Sequence, residues 1–271
     1  MDLIKAIVLG VIQGFTEFFP ISSSGHLVIA EHLMSFNRGG LAFEVFVHFG
    51  SLLAVVWIFR KEIFQMITAI PAIFKLASPE LADEKKSYAL LDLYIIIASI
   101  PAALIGIAFE DQIAMIFEDH AFAFGMLFIT GLIVWSSRYA PEKGRAIRAG
   151  SSFLIGCAQA VAILPGISRS GSTIVTALWL GIPREQAAKF SFLMSVPVIF
   201  GATVLKTHDI FVNPLPQSDL GYLFLATLAA MISGYFAIRW LLAIIRRKKM
   251  EWFGIYCMVV SLAGLMAHLF L

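Results

Sequence analysis

Gln13-Gly14-Phe15-Thr16-Glu17-Phe18-Phe19-Pro20-Ile21-Ser22-Ser23-Ser24-Gly25-His26 sets a carboxylate, three consecutive serines and an imidazole in a chain that is otherwise mostly apolar. Gly10, Gln13 and Glu17 are spaced to share one face of a helix. Pro20 ends that helix, because the residue before a proline is pushed out of the α region. Ser22-Ser23-Ser24-Gly25 then offers hydroxyls, backbone N–H groups and a glycine for an awkward turn. A second helix is expected to start there, with its first free N–H groups open to an anion.

The surroundings decide the class. The chain has 271 residues, 59% hydrophobic and 14% charged, with a mean hydropathy of +0.87. A soluble domain carries about 25% charged residues. This composition specifies a single all-α integral membrane domain over 1–271 and leaves no room for a large soluble one. Cys157 and Cys257 lie in apolar runs and read as core residues, not as a disulfide or metal framework. No basic n-region with a small-residue cleavage site opens the chain, so no removable signal peptide is expected.

Outward from the motif, Leu3 to Phe19 and Leu27 to Phe36 form a helix–break–helix pair. The second piece is too short to span, since a crossing needs about 20 residues. The pair is expected to enter the membrane and turn back. Broken backbone is tolerated at that depth only where protein covers it or water lines it. Phe43–Phe59, Leu90–Phe109 and Ala121–Trp135 read as full spans. Between them lie a polar loop from Arg60 to Ser87, with an amphipathic piece around Ile63–Phe74, and an acidic loop from Glu110 to Asp119. A basic linker, Arg138–Arg148, follows.

The pattern then repeats. Ser151–Leu164 is an apolar run ended by Pro165-Gly166, and Ile174–Ile182 is again too short to span. Gln186–Leu205, Leu220–Ile245 and Trp252–Leu271 complete the set. Shifted by 146 positions, Gly10, Gln13, Ile21, Ser22, Ser24 and Gly25 fall on Gly156, Gln159, Ile167, Ser168, Ser170 and Gly171. Shifted by 128, Tyr94, Ala98, Ala102 and Gly106 fall on Tyr222, Ala226, Ala230 and Gly234. Each half, about 1–140 and 150–271, reads as one re-entrant hairpin plus three spans. An odd number of spans gives the halves opposite orientation. The basic groups Arg60/Lys61/Lys75/Lys85/Lys86, Arg138–Arg148 and Arg246–Lys249 point to the cytoplasm, which puts both termini outside. Inverted repeats of this kind place broken helices around a polar site near the midplane.

The second break carries its own chemistry. Pro165-Gly166-Ile167-Ser168-Arg169-Ser170-Gly171-Ser172-Thr173 sets one guanidinium among hydroxyls and glycines at a helix start. Arginine grips phosphate oxygens in pairs and stays charged. Ionisable groups at such depth are costly, which makes Glu17 and Arg169 functional candidates. His26 gains a catalytic reading from Glu17 and Ser23 nearby in the chain. His48, inside a span, reads as structural, and Glu44 as interfacial. No Walker loop, zinc-ligand spacing or nucleic-acid motif is present.

Together, Gln13-x-x-x-Glu17, the Pro20–His26 run and the Pro165–Thr173 run resemble the undecaprenyl-diphosphate phosphatase family linked to bacitracin resistance. The resemblance covers nearly the whole chain. It implies a multi-pass enzyme of the bacterial inner membrane that hydrolyses a C55 isoprenoid diphosphate to the monophosphate, the lipid carrier of cell-wall synthesis. It also implies a divalent cation, Mg²⁺ or Ca²⁺, and a site open to the outer face. Gln13 stands where many members have Glu, and Ser24 where Thr is common.

The expected partners are the polyprenyl diphosphate and membrane lipids, with a homodimer as a candidate assembly and no nucleic acid. In this reading Arg169 clamps the phosphates, helped by Ser168, Ser170 and Thr173. Ser22, Ser24, Gly25, Gly166 and Gly171 shape the substrate site. Glu17, with the Gln13 carbonyl, holds the cation. Three attacking groups stay open: Ser23 after giving its proton to His26, His26 itself, or a water oriented by Glu17 and His26. The rival reading is a secondary transporter or flippase for an anionic lipid or small anion, since broken inverted repeats also build transporters. A purely structural scaffold leaves both polar clusters unexplained.

Overall fold

The computed structural model describes residues 3–34, 41–78, 81–117, 119–212 and 217–270. Its helices are α1 (Leu3–Phe18), α2 (Ser23–Leu33), α3 (Leu41–Ile58), α4 (Arg60–Ala69), α5 (Asp83–Ala108) and α6 (Glu110–Phe117), then α7 (His120–Ser136), α8 (Ala149–Val161), α9 (Arg169–Trp179), α10 (Arg184–Val212), α11 (Gln217–Arg246) and α12 (Glu251–Phe270). Short 3₁₀ turns at Ile70–Lys75 and Ser137–Tyr139 extend α4 and α7. Among the described residues five helices are long and apolar enough to cross a membrane, or six if α3 and the segment bent 83° from it count as one span. The chain is therefore an all-helical, multi-pass membrane protein.

Several extents differ from the hydropathy reading. The loop expected from Arg60 to Ser87 is largely helical, through α4, the 3₁₀ turn and the first turns of α5. The acidic loop contains α6, and α10 runs seven residues past Leu205, to Val212. Hydropathy marks where a helix is buried in apolar surroundings, not where its backbone ladder ends. At α5 the cause is visible: Asp83 and Glu84 occupy the first turn, where negative charge complements the helix dipole. The far end of the Leu27–Phe36 segment, including Phe36, lies outside the described residues.

Packing crosses between the halves of the chain. α1 packs on α11, α5 on α8, α3 on both α10 and α11, and α7 on α12. Four of these interfaces are glycine seams, and two of the four hold a hairpin helix, α1 or α8. A Cβ on Gly10 would lie 2.3 Å from the Ala226 carbonyl oxygen, and a Cβ on Gly156 would lie 2.4 Å from that of Ala98. Without a driving force from water, such close backbone approach is how helices associate in lipid. One turn on from Gly10, Gly14 meets Ala230 and Ser233, so α1 and α11 run parallel. Gly156 meets Ala98 and Gly106 meets Ile163, so α5 and α8 also run parallel. α3 follows α11 in the same sense, with Gly50 against Thr227 and Gly234 against Ala54. α7 and α12 are antiparallel: Gly131 meets Gly254, while Ser261 Oγ donates to the Phe124 carbonyl at 2.6 Å. The main core lies between these layers, around Phe18, Phe190, Phe192 and Ile238.

The seams are testable. Gly10→Val and Gly156→Val should each lower thermal stability in detergent by about 1–3 kcal/mol or more, the usual cost of overpacking. Gly125→Ala, where a Cβ meets nothing within 4 Å, should be neutral or slightly stabilising.

Candidate active site

The two hairpin breaks share a serine cap but turn the chain at different positions relative to it. At the first, Ser22 adopts a left-handed backbone, φ 67°, and its hydroxyl accepts from Gly25 N at 3.4 Å. At the second, Gly166 takes φ 89° and the Ser168 hydroxyl caps α9, accepting from Gly171 N at 3.1 Å. Ser22 and Ser24 hydroxyls are 3.2 Å apart, as are those of Ser168 and Ser170. The breaks also hold each other. Gly166 N donates to Ser24 Oγ at 3.3 Å, and Ser170 Oγ donates to the Phe19 carbonyl at 3.1 Å. Gly166 admits no larger residue, because a Cβ there would lie 2.0 Å from the Ala123 carbonyl oxygen.

This docking brings Glu17 and Arg169 together. Arg169 Nη2 donates to Glu17 Oε1 at 2.6 Å, and the two side chains are 15% and 7% exposed. On the other carboxylate oxygen converge Gln13 Nε2 at 3.0 Å and Ser23 Oγ at 2.9 Å. His48 Nε2 stands 3.6 Å from the same oxygen. Glu17 is thus the hub of the cluster, and Ser23 and Arg169 meet on it. The Gln13 carbonyl oxygen is buried with no hydrogen-bond partner.

Other residues sit differently from their sequence reading. Ser23 pairs with Glu17, not with His26. His26 Nδ1 lies 2.9 Å from the Ser22 carbonyl, and Nε2 lies 2.8 Å from the Tyr256 hydroxyl. A carbonyl only accepts, so Nδ1 carries a proton. The Tyr256 ring stacks on the imidazole, with centroids 5.5 Å apart and 14° between planes. Both His26 nitrogens are engaged away from Ser23, which removes the expected proton path from Ser23 to His26 in this arrangement. Thr173 is wholly buried and its hydroxyl is 2.6 Å from Ser191 Oγ, with a further bond to the Arg169 carbonyl at 2.8 Å. It ties α9 to α10 and does not join the Glu17 cluster. The Ser168 and Ser170 hydroxyls are spent on the cap and on Phe19. What the second break turns toward Glu17 is the guanidinium.

Sequence reasoning passes over Thr130 and Tyr256 and gives His48 a structural reading. Thr130 accepts from Ser168 N at 2.9 Å and donates to the Gly166 carbonyl at 2.8 Å, so one α7 hydroxyl satisfies both sides of the second break. Nothing local marks Thr130 or Tyr256, since each acts on a residue far away in sequence. His48 was findable as a titratable group inside an apolar span.

A family model described as bacitracin resistance protein BacA matches residues 6–263. The chain belongs to that family. It is 40% identical to an undecaprenyl-diphosphatase of Methanobrevibacter smithii, over the whole of both chains. It is 42% identical to undecaprenyl-diphosphatase 1 of Bacillus licheniformis, over 97% of each. It is 39% identical to an undecaprenyl-diphosphatase of Christiangramia forsetii, over 98% of each.

Replacing Thr130 by Val keeps shape but orphans a buried N–H and a buried carbonyl. Thr130→Val should cost about 1–3 kcal/mol per unsatisfied group. The loss should appear as a lower unfolding temperature in detergent, and Thr130→Ser should recover most of it.

Proposed function

We infer that this chain hydrolyses undecaprenyl diphosphate to undecaprenyl phosphate and inorganic phosphate. That activity recycles a lipid carrier for the cell wall and opposes bacitracin. The observation that carries the reading is the convergence of Ser23, Gln13 and Arg169 on the buried carboxylate of Glu17. Family membership and relatives matching over nearly their full lengths point the same way. A transporter for the same lipid needs an anion-holding arginine, but not a hydroxyl aligned on a carboxylate.

The residues divide the work. Arg169 spends one Nη on Glu17 and keeps further N–H groups for phosphate oxygens. Its planar fork suits an oxygen pair, and charge stabilisation of this kind dominates phosphoryl transfer. Ser23 is the favoured nucleophile. Its Oγ–H already points at Glu17, so Glu17 takes the proton as the Oγ–P bond forms and the bond to the prenyl phosphate oxygen breaks. Water then attacks the phosphoserine, giving inorganic phosphate and returning Ser23. His26 has both ring nitrogens engaged, by Ser22 and Tyr256, so it would take part in proton transfer only by exchanging the Tyr256 hydroxyl for a phosphate oxygen.

A divalent cation fits the donor set in a limited way. Gln13 offers an unclaimed amide oxygen. A cation that also reached Glu17 would displace one of the donors now on its carboxylate. That gives the kind of set that holds Mg²⁺, one or two carboxylates together with substrate phosphates and water. Among the described residues no three His, Cys, Asp or Glu side chains converge on a point, so the substrate itself would supply much of the coordination. When bound, the cation would neutralise charge developing on the diphosphate.

We further propose that the two halves form an inverted repeat in the cytoplasmic membrane of a bacterium, with hairpins entering from opposite faces, termini outside and the site open to the outer face. The seams at Gly10 and Gly156 support this, since each pairs a hairpin of one half with a span of the other. So do the charges. Glu142 pairs with Arg184 and Lys248, Glu62 with Lys189, and Glu185 with Arg246, which gathers basic loops from both halves at one end.

Phosphate release from undecaprenyl diphosphate in detergent tests the chemistry. Glu17→Gln and Arg169→Lys should each lower kcat by about 10²–10³-fold, the loss seen when one transition-state charge stabiliser is removed. Ser23→Ala should fall at least as far and accumulate no phosphoserine in a single turnover. Phosphate release by Arg169→Lys at the parent rate would overturn the clamp. Lipid transfer across liposomes with no phosphate release would favour the transporter.

A further inference from the structure

At the end of the bundle where the basic loops gather, the lipid-facing seam between α3 and α11 opens into a groove of about 170 Å³. Ala54 and Trp57 line one side, and Met231, Ile232 and Tyr235 the other. Trp57 and Ile232 are more than half and half exposed, so the groove faces the bilayer and not the core. Its walls are apolar apart from the ring edges of Trp57 and Tyr235.

Each of those two aromatic residues carries an arginine. Arg60 Nη1 donates to the Trp57 carbonyl at 2.9 Å, with the guanidinium carbon 5.4 Å from the Trp57 ring centroid. Arg239 Nη1 donates to the Tyr235 hydroxyl at 2.9 Å, with its guanidinium carbon 5.6 Å from that ring. Trp57 and Tyr235 line the same groove from different helices, so each brings its arginine to that groove. Neither forms an ion pair with a carboxylate among the described residues. The nearest acid in sequence, Glu62, is drawn off by Lys189 at 2.8 Å. The groove thus has an apolar floor, two aromatic shoulders and two unneutralised guanidinium groups with donors to spare.

We propose that this groove binds an anionic glycerophospholipid of the surrounding leaflet, its acyl chain between α3 and α11 and its headgroup phosphate between Arg60 and Arg239. The complementarity is chemical at both ends. An acyl chain suits a bilayer-facing slot lined by Ala54, Met231 and Ile232, and guanidinium forks grip phosphate oxygens in pairs. Arginine stacked on an aromatic ring loses little freedom on binding, so the headgroup meets a prepared site. The site is separate from the Glu17 cluster and does not depend on the reaction there.

Native mass spectrometry of the purified protein with equal amounts of phosphatidylglycerol and phosphatidylcholine tests it. The unaltered protein should retain phosphatidylglycerol in preference by roughly tenfold or more, given the contribution of two basic groups near an anionic headgroup. Arg60→Gln combined with Arg239→Gln should abolish that preference. Met231→Trp should fill the groove and cut retention while both arginines remain. Lys85→Gln with Lys86→Gln, basic but outside the groove, should change nothing. Unfolding temperatures establish that each variant is folded. The proposal falls if the double arginine variant keeps its preference, if phosphatidylcholine is held equally well, or if the lysine variant loses the preference too. It also falls if added undecaprenyl phosphate displaces phosphatidylglycerol one for one, which would make the groove part of the substrate path.

Discussion

A helix broken inside an apolar bundle leaves N–H and carbonyl groups that lipid cannot satisfy, and each unpaired group costs several kcal/mol. This chain breaks two helices, at Pro20 and at Pro165, and the architecture near the site answers that constraint. Serine hydroxyls cap the returning helices, and Thr130 closes both sides of the second break. The remaining groups are satisfied across the gap, Gly166 N by Ser24 and the Phe19 carbonyl by Ser170. Two breaks that must be docked on each other necessarily bring their neighbouring side chains together. Glu17 lies three residues before Pro20 and Arg169 four residues after Pro165, so the buried ion pair follows from the way the backbone is rescued.

The ion pair has a second face. A buried pair repays its desolvation only when the geometry is good and the spare oxygens and N–H groups are also bonded. Glu17 meets this with Gln13 and Ser23 on its other oxygen. Arg169 does not, since only one of its donors is matched to a carboxylate. That imbalance suits a site which must accept phosphate oxygens and let them go, because the guanidinium is held in place without being saturated.

Much of this was legible in the sequence because it is written locally. Pro20 and Pro165 mark breaks, the serine runs mark caps, and a carboxylate or guanidinium stands out in an apolar chain. The 146-position match even pairs Gly10 with Gly156, the residues at the two hairpin seams. What failed was long-range or directional. The spacing of Ser23 and His26 suggests a pair, yet the turn at Ser22 sends the imidazole to Tyr256 and the hydroxyl to Glu17. Thr173 belongs to the motif by composition, but its place on α9 aims it at Ser191. α4 shows in the sequence as the amphipathic piece around Ile63–Phe74, whereas α6 is hidden because its charged and polar residues mask a backbone that hydropathy does not measure.

The crosswise packing also orders the life of the chain as it is made. α1 carries Lys5, Gln13 and Glu17, and its close partner is α11, more than 200 residues later. Synthesis runs from the N-terminus, and early segments must wait for later ones. Until residue 226 has emerged, the Gly10 face has no surface to close on, and until Arg169 arrives Glu17 has no guanidinium. In the second hairpin α8 has no such delay, because α5 is in place before α8 is made. Biogenesis is therefore lopsided even where the finished packing is balanced. The nascent first hairpin is the stretch most exposed to mispairing, and to whatever cellular machinery shelters unfinished membrane segments.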